Sequence, residues 1–301
     1  MTANHPRVGV GLSGYRFASF WAQHLPAIVT GPTASMIGFG MAQAMREQKA
    51  MVERHQRRVN PKLSGVALRR TVQQAFDSYA HYWVETFRLP GVTKAEVQAG
   101  FTEEGFEHIE AGLSAGHGAI LALPHLGGWE WAGRWITDQG LKMTVVVEPL
   151  EPPELFEWFR DLRRSFGMNV VPLGPSAAGA VLAALKANEV VCLLCDRDIQ
   201  GGGVEVEFFG ERTTLPPGPA TLALRTGAPL IPVGTYFTQT RDGHHAAIGP
   251  PISLDRTGRL RDDVALVTQT LARRLEERIR RAPEQWHLFQ ANWPSDPGYG
   301  L

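Results

Sequence analysis

From residue 120 onward, short apolar runs alternate with helical patterns, and this alternation limits the fold more than any other property of the chain. Residues 120–124, 143–148, 169–173, 190–195, 204–209, 230–236 and 245–248 read as strands. Residues 129–139, 154–166, 176–187 and 217–226 carry helical spacing between them, and 257–281 reads as a long charged helix. Strands separated by helices predict an α/β fold: a mostly parallel central sheet covered by helices on both faces. Upstream, 63–87 reads as a helix with an aromatic stripe at Phe76, Tyr79, Tyr82, Trp83 and Phe87, and 93–114 as an acidic, solvated helical stretch. A chain of 301 residues, 44% hydrophobic, can bury a large core without staples. The expected division is an accessory segment over 1–60 and an α/β domain over 61–301.

In 121–130 an apolar strand runs into Pro124 and His125, then the Gly127–Gly128 pair, then a helix. His125 therefore belongs at the carboxyl edge of the sheet, where ligands bind in open α/β folds. The glycines allow a sharp turn, so the Glu130 carboxylate can fold back onto the imidazole. A carboxylate on one ring nitrogen fixes the tautomer and leaves the other free as a base. Two further strands end in acids, Glu148 and Asp196. Parallel strands bring their ends to one edge, so Asp196 competes with Glu130 for His125, and the spacing does not choose between them. Either Glu148 or Asp196 can instead cap the segment that follows it. Backbone N–H groups at Gly127 or Gly128, on a helix N-terminus, suit a developing oxyanion. Arg163 is a candidate for a phosphate, with Arg164, or simply a solvated helix face, as the alternative. No zinc-type spacing occurs, so no metal is expected, and no G-x-S-x-G serine elbow is present.

Thirty basic and thirty acidic residues give zero formal net charge, which argues against nucleic acid as a partner. Cys192 and Cys195 lie three apart in a strand and so face opposite sides, which disfavours a shared metal or a disulfide. The N-terminus has no signal-peptide layout; residues 1–15 are expected to be loose. Residues 17–45 contain no Asp, Glu, Lys or Arg, yet Pro26 and the Gly31–Pro32 pair interrupt them. No piece reaches the ~20 apolar residues of a spanning helix. Two short helices, 16–29 and 33–50, are expected, either lying in a membrane interface or packing as ordinary core. Arg54, Arg57 and Arg58 follow at once and suit an anionic surface; a solvated helix end is the alternative.

Several blocks carry a family resemblance. Gly-Gly-Val-Glu-Val-Glu-Phe-Phe-Gly at 202–210, Leu-Pro-Pro-Gly-Pro-Ala-Thr-Leu-Ala-Leu-Arg-Thr-Gly-Ala-Pro-Leu-Ile-Pro-Val at 215–233 and Pro-Glu-Gln-Trp-His at 283–287 resemble, in order and spacing, the bacterial lipid A lauroyl/myristoyl acyltransferases. The His125…Glu130 pair resembles the H-x-x-x-x-D/E motif of the wider glycerolipid acyltransferase superfamily. Tyr79, Tyr82, Trp83, the 87–90 run and Glu148 most resemble the actinobacterial phosphatidylinositol mannoside acyltransferases within that family. The chain departs from the pattern at Gly128, where relatives commonly carry Asn, and at Glu130, where many carry Asp. The resemblance implies a glycerolipid acyltransferase-like fold. It implies a histidine base that deprotonates an acceptor hydroxyl, a long-chain acyl-CoA as co-substrate with no other cofactor, and a mannose hydroxyl of a glycolipid as acceptor. A peripheral position on the cytoplasmic face of the plasma membrane goes with it. A lysophospholipid or lipid A-like acceptor, a non-catalytic lipid-binding protein and a thioester hydrolase are the competing readings.

Overall fold

The computed structural model describes residues 12–24, 26–149, 152–239 and 242–300. Four helices open the chain: α1 (Leu12–Gln23), α2 (Ala27–Ala44), α3 (Arg46–Val59) and α4 (Gly65–Arg88). Then follow α5 (Lys94–Ala99), β1 (Phe101–Glu104), α6 (Glu107–Ser114), β2 (Ala119–Leu123), α7 (Trp129–Asp138), β3 (Met143–Val147), α8 (Pro153–Ser165), β4 (Met168–Pro172), α9 (Ala177–Lys186) and β5 (Val190–Leu194). A hairpin of β6 (Val204–Phe208) and β7 (Glu211–Leu215) leads to α10 (Gly218–Thr226), β8 (Leu230–Phe237), β9 (His244–Ile248) and α11 (Leu260–Arg281).

Seven strands form one sheet in the order β1-β9-β8-β2-β5-β3-β4. β8, β2, β5, β3 and β4 are mutually parallel; β9 is antiparallel to β8, and β1 runs parallel to β9. The alternation in β2 shows how the sequence builds two cores. Ile120 and Ala122 pack with α9, α10 and α11, while Ala119, Leu121 and Leu123 pack with α7 and α8 on the other face. Period-2 side chains in a doubly covered sheet require this near-continuous apolar run. Cys195 belongs to the first core and Cys192 lies against the second, and both are free thiols.

Several expected boundaries shift. Of the segment expected to be loose, 1–11 lies outside the described residues, and the rest begins α1. The break expected at Gly31–Pro32 falls elsewhere: α2 runs through Pro32, and the interruptions are at Pro26 and Met45. Packing overrides propensity here. Gly38 sits so close to α4 that a Cβ there would meet the Asp77 backbone at 2.7 Å, and contact of this kind outweighs the intrahelical bond that proline forfeits. The stretch 93–114 is not one helical run. A Thr93/Glu96 capping box starts α5, Gly100 ends it, and β1 pairs with β9. The β6–β7 hairpin turns at Phe209 and Gly210, both with positive φ, the backbone that a two-residue hairpin turn demands.

Candidate active site

β2, β5 and β3 are neighbours in the parallel part of the sheet, so His125, Asp196 and Glu148, which follow them, gather at one edge. Pro124 ends β2. The turn after it is stitched to the 285–287 segment: Gly127 N–H donates to the Gln285 carbonyl (3.0 Å) and His287 N–H to the His125 carbonyl (2.7 Å). Gln285 also clamps the end of β8, accepting from Phe237 N–H at 2.7 Å and donating to the Phe237 carbonyl at 3.1 Å. Gly127 has φ +58°, and a Cβ there would lie 2.4 Å from the Thr235 carbonyl oxygen. Only glycine fits both conditions.

The two acids that spacing left open are separated by the structure. Asp196 is fully buried. Its Oδ1 takes the His125 Nδ1–H at 2.6 Å, and its Oδ2 accepts from the His125 backbone N–H (3.1 Å) and the Trp286 indole N–H (2.8 Å). Asn292 donates to the Asp196 carbonyl at 3.0 Å. Burial alone would raise the pKa of Asp196, but the neighbouring His125 and the bonds from imidazole, indole and backbone outweigh it and hold the carboxyl below its usual value. With Nδ1 bonded to a fixed anion, Nε2 carries the lone pair, and the imidazole is about 20% exposed. The ring stands edge-on to Trp129 at 5.6 Å.

Glu130 does not reach the imidazole. Trp129 occupies that side of the first turn of α7, and Glu130 points toward α8 and α4. There Arg163 holds it with Nε at 3.0 and 3.2 Å and Nη2 at 2.5 Å, and the Tyr82 hydroxyl donates to it at 3.2 Å. Arg163, expected to face a phosphate, is thus a buried partner of Glu130. Arg164 is half exposed and weakly paired with Asp161. Glu148 accepts from Arg197 at 2.6 Å. Of the two glycine amides, Gly127 N–H is committed to Gln285, while Gly128 is the N-cap residue of α7.

Sequence reasoning did not single out Trp286, Gln285 or Asn292 individually as site-building residues. The signal was a buried indole and amides in the closing block, groups that must find partners wherever they are sequestered. His287 in the same block is buried between the rings of Tyr79, Tyr82 and Trp129, with Ser78 Oγ 2.9 Å from its Nε2. Burial, then the nearby His125 and His81, depress its pKa to about 3. Behind Trp129, between α7 and the sheet, lies a narrow apolar cavity of about 20 Å³, lined by Leu121, Leu123, Gly133, Ile136 and Val233 among others.

A buried carboxylate, an oriented imidazole and a helix N-terminus at the carboxyl edge of a parallel sheet are the groups that general-base chemistry on a hydroxyl requires. The chain matches the model of bacterial lipid A biosynthesis acyltransferases over residues 3–295. It is 41% identical over 227 residues to the phosphatidylinositol mannoside acyltransferase of Mycobacterium tuberculosis, covering 74% of this chain and 70% of that protein. To the protein of the same name from Mycolicibacterium smegmatis it is 39% identical over 228 residues, covering 75% and 73%. The chain belongs to the bacterial lipid A biosynthesis acyltransferase family and is an acyltransferase.

Proposed function

We propose that this enzyme transfers a long-chain acyl group from acyl-CoA to a mannose hydroxyl of a phosphatidylinositol mannoside, with His125 as general base and Asp196 as its orienting acid. The observation that carries the mechanism is the 2.6 Å bond from Nδ1 to a buried, ionised Asp196. The names of the relatives support the acceptor. Nε2 takes the proton of the acceptor hydroxyl, and the oxygen attacks the thioester carbonyl carbon. The C–S bond of the tetrahedral intermediate then breaks, and the departing CoA thiolate takes the proton back from the imidazolium. General-base help of this kind contributes ~10²–10⁴ in rate. The Gly128 N–H and the first amides of α7 are the proposed oxyanion donors, since Gly127 N–H is already bonded. Arg163 and Glu130 brace α8 against α7. Glu148 with Arg197 forms a wall of the acceptor subsite.

Residues 1–60 act in this reading as a docking unit for the 61–301 domain on the cytoplasmic leaflet. Phe20, Trp21, Ile28, Met36, Ile37 and Phe39 are all exposed on α1 and α2, the apolar face an interfacial helix presents to lipid. Among the described residues no helix is long and apolar enough to cross a membrane.

The test is purified protein with palmitoyl-CoA and separate acceptors: a phosphatidylinositol mannoside, a lysophospholipid and lipid A precursors, with products identified by mass spectrometry. An acylated mannoside is expected. Acylation of another lipid alone would overturn the acceptor, and free fatty acid with CoA and no acylated lipid would make the enzyme a hydrolase.

A further inference from the structure

The His244 ring lies on the backbone of the turn that carries His125. A Cβ built on Gly128 would come 2.7 Å from His244 Cδ2, 2.8 Å from His244 Nε2 and 2.9 Å from Phe237 Cε1. The space a side chain at 128 would need is therefore filled by the imidazole and the phenyl ring. His244 is 2% exposed and stacks on Trp131 of α7 at 4.4 Å and 16°. Its Nε2 is bonded to Glu85 Oε2 at 2.9 Å and its Nδ1 to the Asp242 carbonyl at 3.1 Å. Both partners are oxygen acceptors on opposite sides of the ring, so the ring cannot slide or flip without losing a bond.

The clamp continues into α4. Glu85 is buried, and its other oxygen accepts from His81 Nε2 at 2.9 Å. Burial would raise its pKa, but His244 and His81 reverse that and bring it to about 2, so it stays ionised. The Asp242 carboxylate pairs with Arg88 at 2.8 Å. α4 thus meets the start of β9 through the His244–Glu85 bond directly behind Gly128, with the Arg88–Asp242 ion pair beside the same turn. None of these groups belongs to the His125–Asp196 pair.

We propose that His244, clamped by Glu85 and His81, is a positioning residue of acyl transfer: its ring fixes the Gly128 peptide, and with it the first amides of α7, relative to the His125 imidazole. This rests on the reading above that those amides receive the oxyanion. Such donors work only within about 2.7–3.1 Å of the developing charge, and a ~1 Å displacement can cost on the order of 10²-fold. The Gly127 peptide is held by Gln285. The nearest atoms around the Cβ position of Gly128 are those of His244 and Phe237, so the imidazole is the polar, hydrogen-bonded half of its support.

The test is steady-state kinetics of the full chain with palmitoyl-CoA and a phosphatidylinositol mannoside, normalised to folded protein. The variants are H244A, E85Q, G128A, the double variant G128A/H244A, and H125A as a control on the underlying reading. H244A is expected to lower kcat roughly 10- to 100-fold while KM for either substrate stays within about twofold. E85Q should fall in the same direction. G128A pushes its methyl into the ring. Removing the ring makes room, so the double variant should be no slower than the slower single one, a non-additivity that contact requires. A purely architectural role would move the melting temperature and the folded fraction, not kcat per folded molecule or this coupling. Wild-type kcat in H244A and E85Q, or losses in G128A and H244A that simply multiply, would overturn the proposal. If H244A does not fold, E85Q decides alone, because it keeps the shape and weakens the clamp. If H125A is inactive while H244A and E85Q are fully active, only the positioning role falls. If H125A transfers at the wild-type rate, the reading beneath it falls as well.

Discussion

Asp196 to Asn removes the fixed anion that receives the His125 Nδ1–H, while Glu130 to Gln removes the charge partner of Arg163. The first should lower kcat by ~10² or more with little change in KM. The second leaves a guanidinium buried beside a neutral amide, and breaking a buried pair costs about 3–5 kcal/mol of stability; kcat per folded molecule should change less than in Asp196→Asn. Kinetics and urea denaturation on the same preparations decide, and a larger kcat loss in Glu130→Gln would reverse the assignment. Much of this site could be read from sequence: an apolar run ending in His125 and two more ending in acids is enough to bring three strand ends to one edge. The choice of acid was not legible. It depends on strand adjacency, β2 beside β5, and on Trp129 rather than Glu130 taking the inner side of the turn, neither of which a five-residue spacing encodes. His287 gives a second, pH-based prediction. Its pKa is about 3 when folded, against 6.5 ordinarily, so as pH falls below 6.5 the unfolded chain binds a proton there that the folded chain refuses. Its contribution is therefore complete above pH 6.5 and is lost progressively toward pH 3. Between pH 7 and 5, His287→Gln should lose about 2 kcal/mol less stability than wild type, at 1.36 kcal/mol per unit below 6.5. Equal losses in urea titrations at the two pH values would show that the imidazole is not held neutral.

α3 is fastened to the C-terminal segment by one buried carboxylate. Asp296 accepts from Arg54 Nε (3.2 Å), Arg58 Nη2 (2.7 Å), His55 Nε2 (3.3 Å) and the backbone N–H groups of Asn292 (3.0 Å) and Trp293 (3.1 Å). Burial opposes ionisation, yet these bonds hold its pKa well below the usual carboxylate range. Asp296→Ala leaves His55 Nε2 unpaired in the interior and takes from Arg58 one of its two carboxylates, Glu211 remaining, and should cost about 1–3 kcal/mol. Arg57→Ala, whose side chain pairs with Glu53 at the surface, should stay within about 0.5 kcal/mol. Equal destabilisation of the two variants in urea would refute the clamp. Read as sequence, the three arginines form one basic exit from an apolar helix. Folded, Arg58 turns inward and the half-exposed Arg54 leans on the same acid, Asp296, 242 residues from Arg54 in the chain, a pairing no local pattern carries. β1 and β7 escaped sequence reading for a related reason. Phe-Thr-Glu-Glu and Glu-Arg-Thr-Thr-Leu are polar strands paired on one side only, and they lack the apolar runs that marked the buried strands of the parallel sheet.

The same inward turn changes what membrane binding should look like. Arg58 is turned in between Asp296 and Glu211, while Arg54 and Arg57 stay at the surface, 42% and 54% exposed, each already paired with an acid, Asp296 and Glu53. Electrostatic attraction to an anionic leaflet, ~1 kcal/mol per free basic residue, is correspondingly small. The apolar face of α1 and α2 remains: Met36 is 77% exposed, Ile28 62%, Phe39 61% and Phe20 60%. Burying each such side chain in lipid is worth about 1.5–3 kcal/mol, so docking should be dominated by apolar insertion and should change little between low and high salt. Replacing Met36 and Phe39 by Ser touches no core contact, and exposed substitutions of this kind stay within about 0.5 kcal/mol in stability. The double variant should nevertheless bind vesicles at least tenfold more weakly, since 1.4 kcal/mol already gives a factor of ~10. Full-length wild type and double variant are compared by co-sedimentation with neutral and anionic vesicles at two salt concentrations. Undiminished binding by the double variant, or wild-type binding that collapses with salt, would move the docking surface away from α1 and α2.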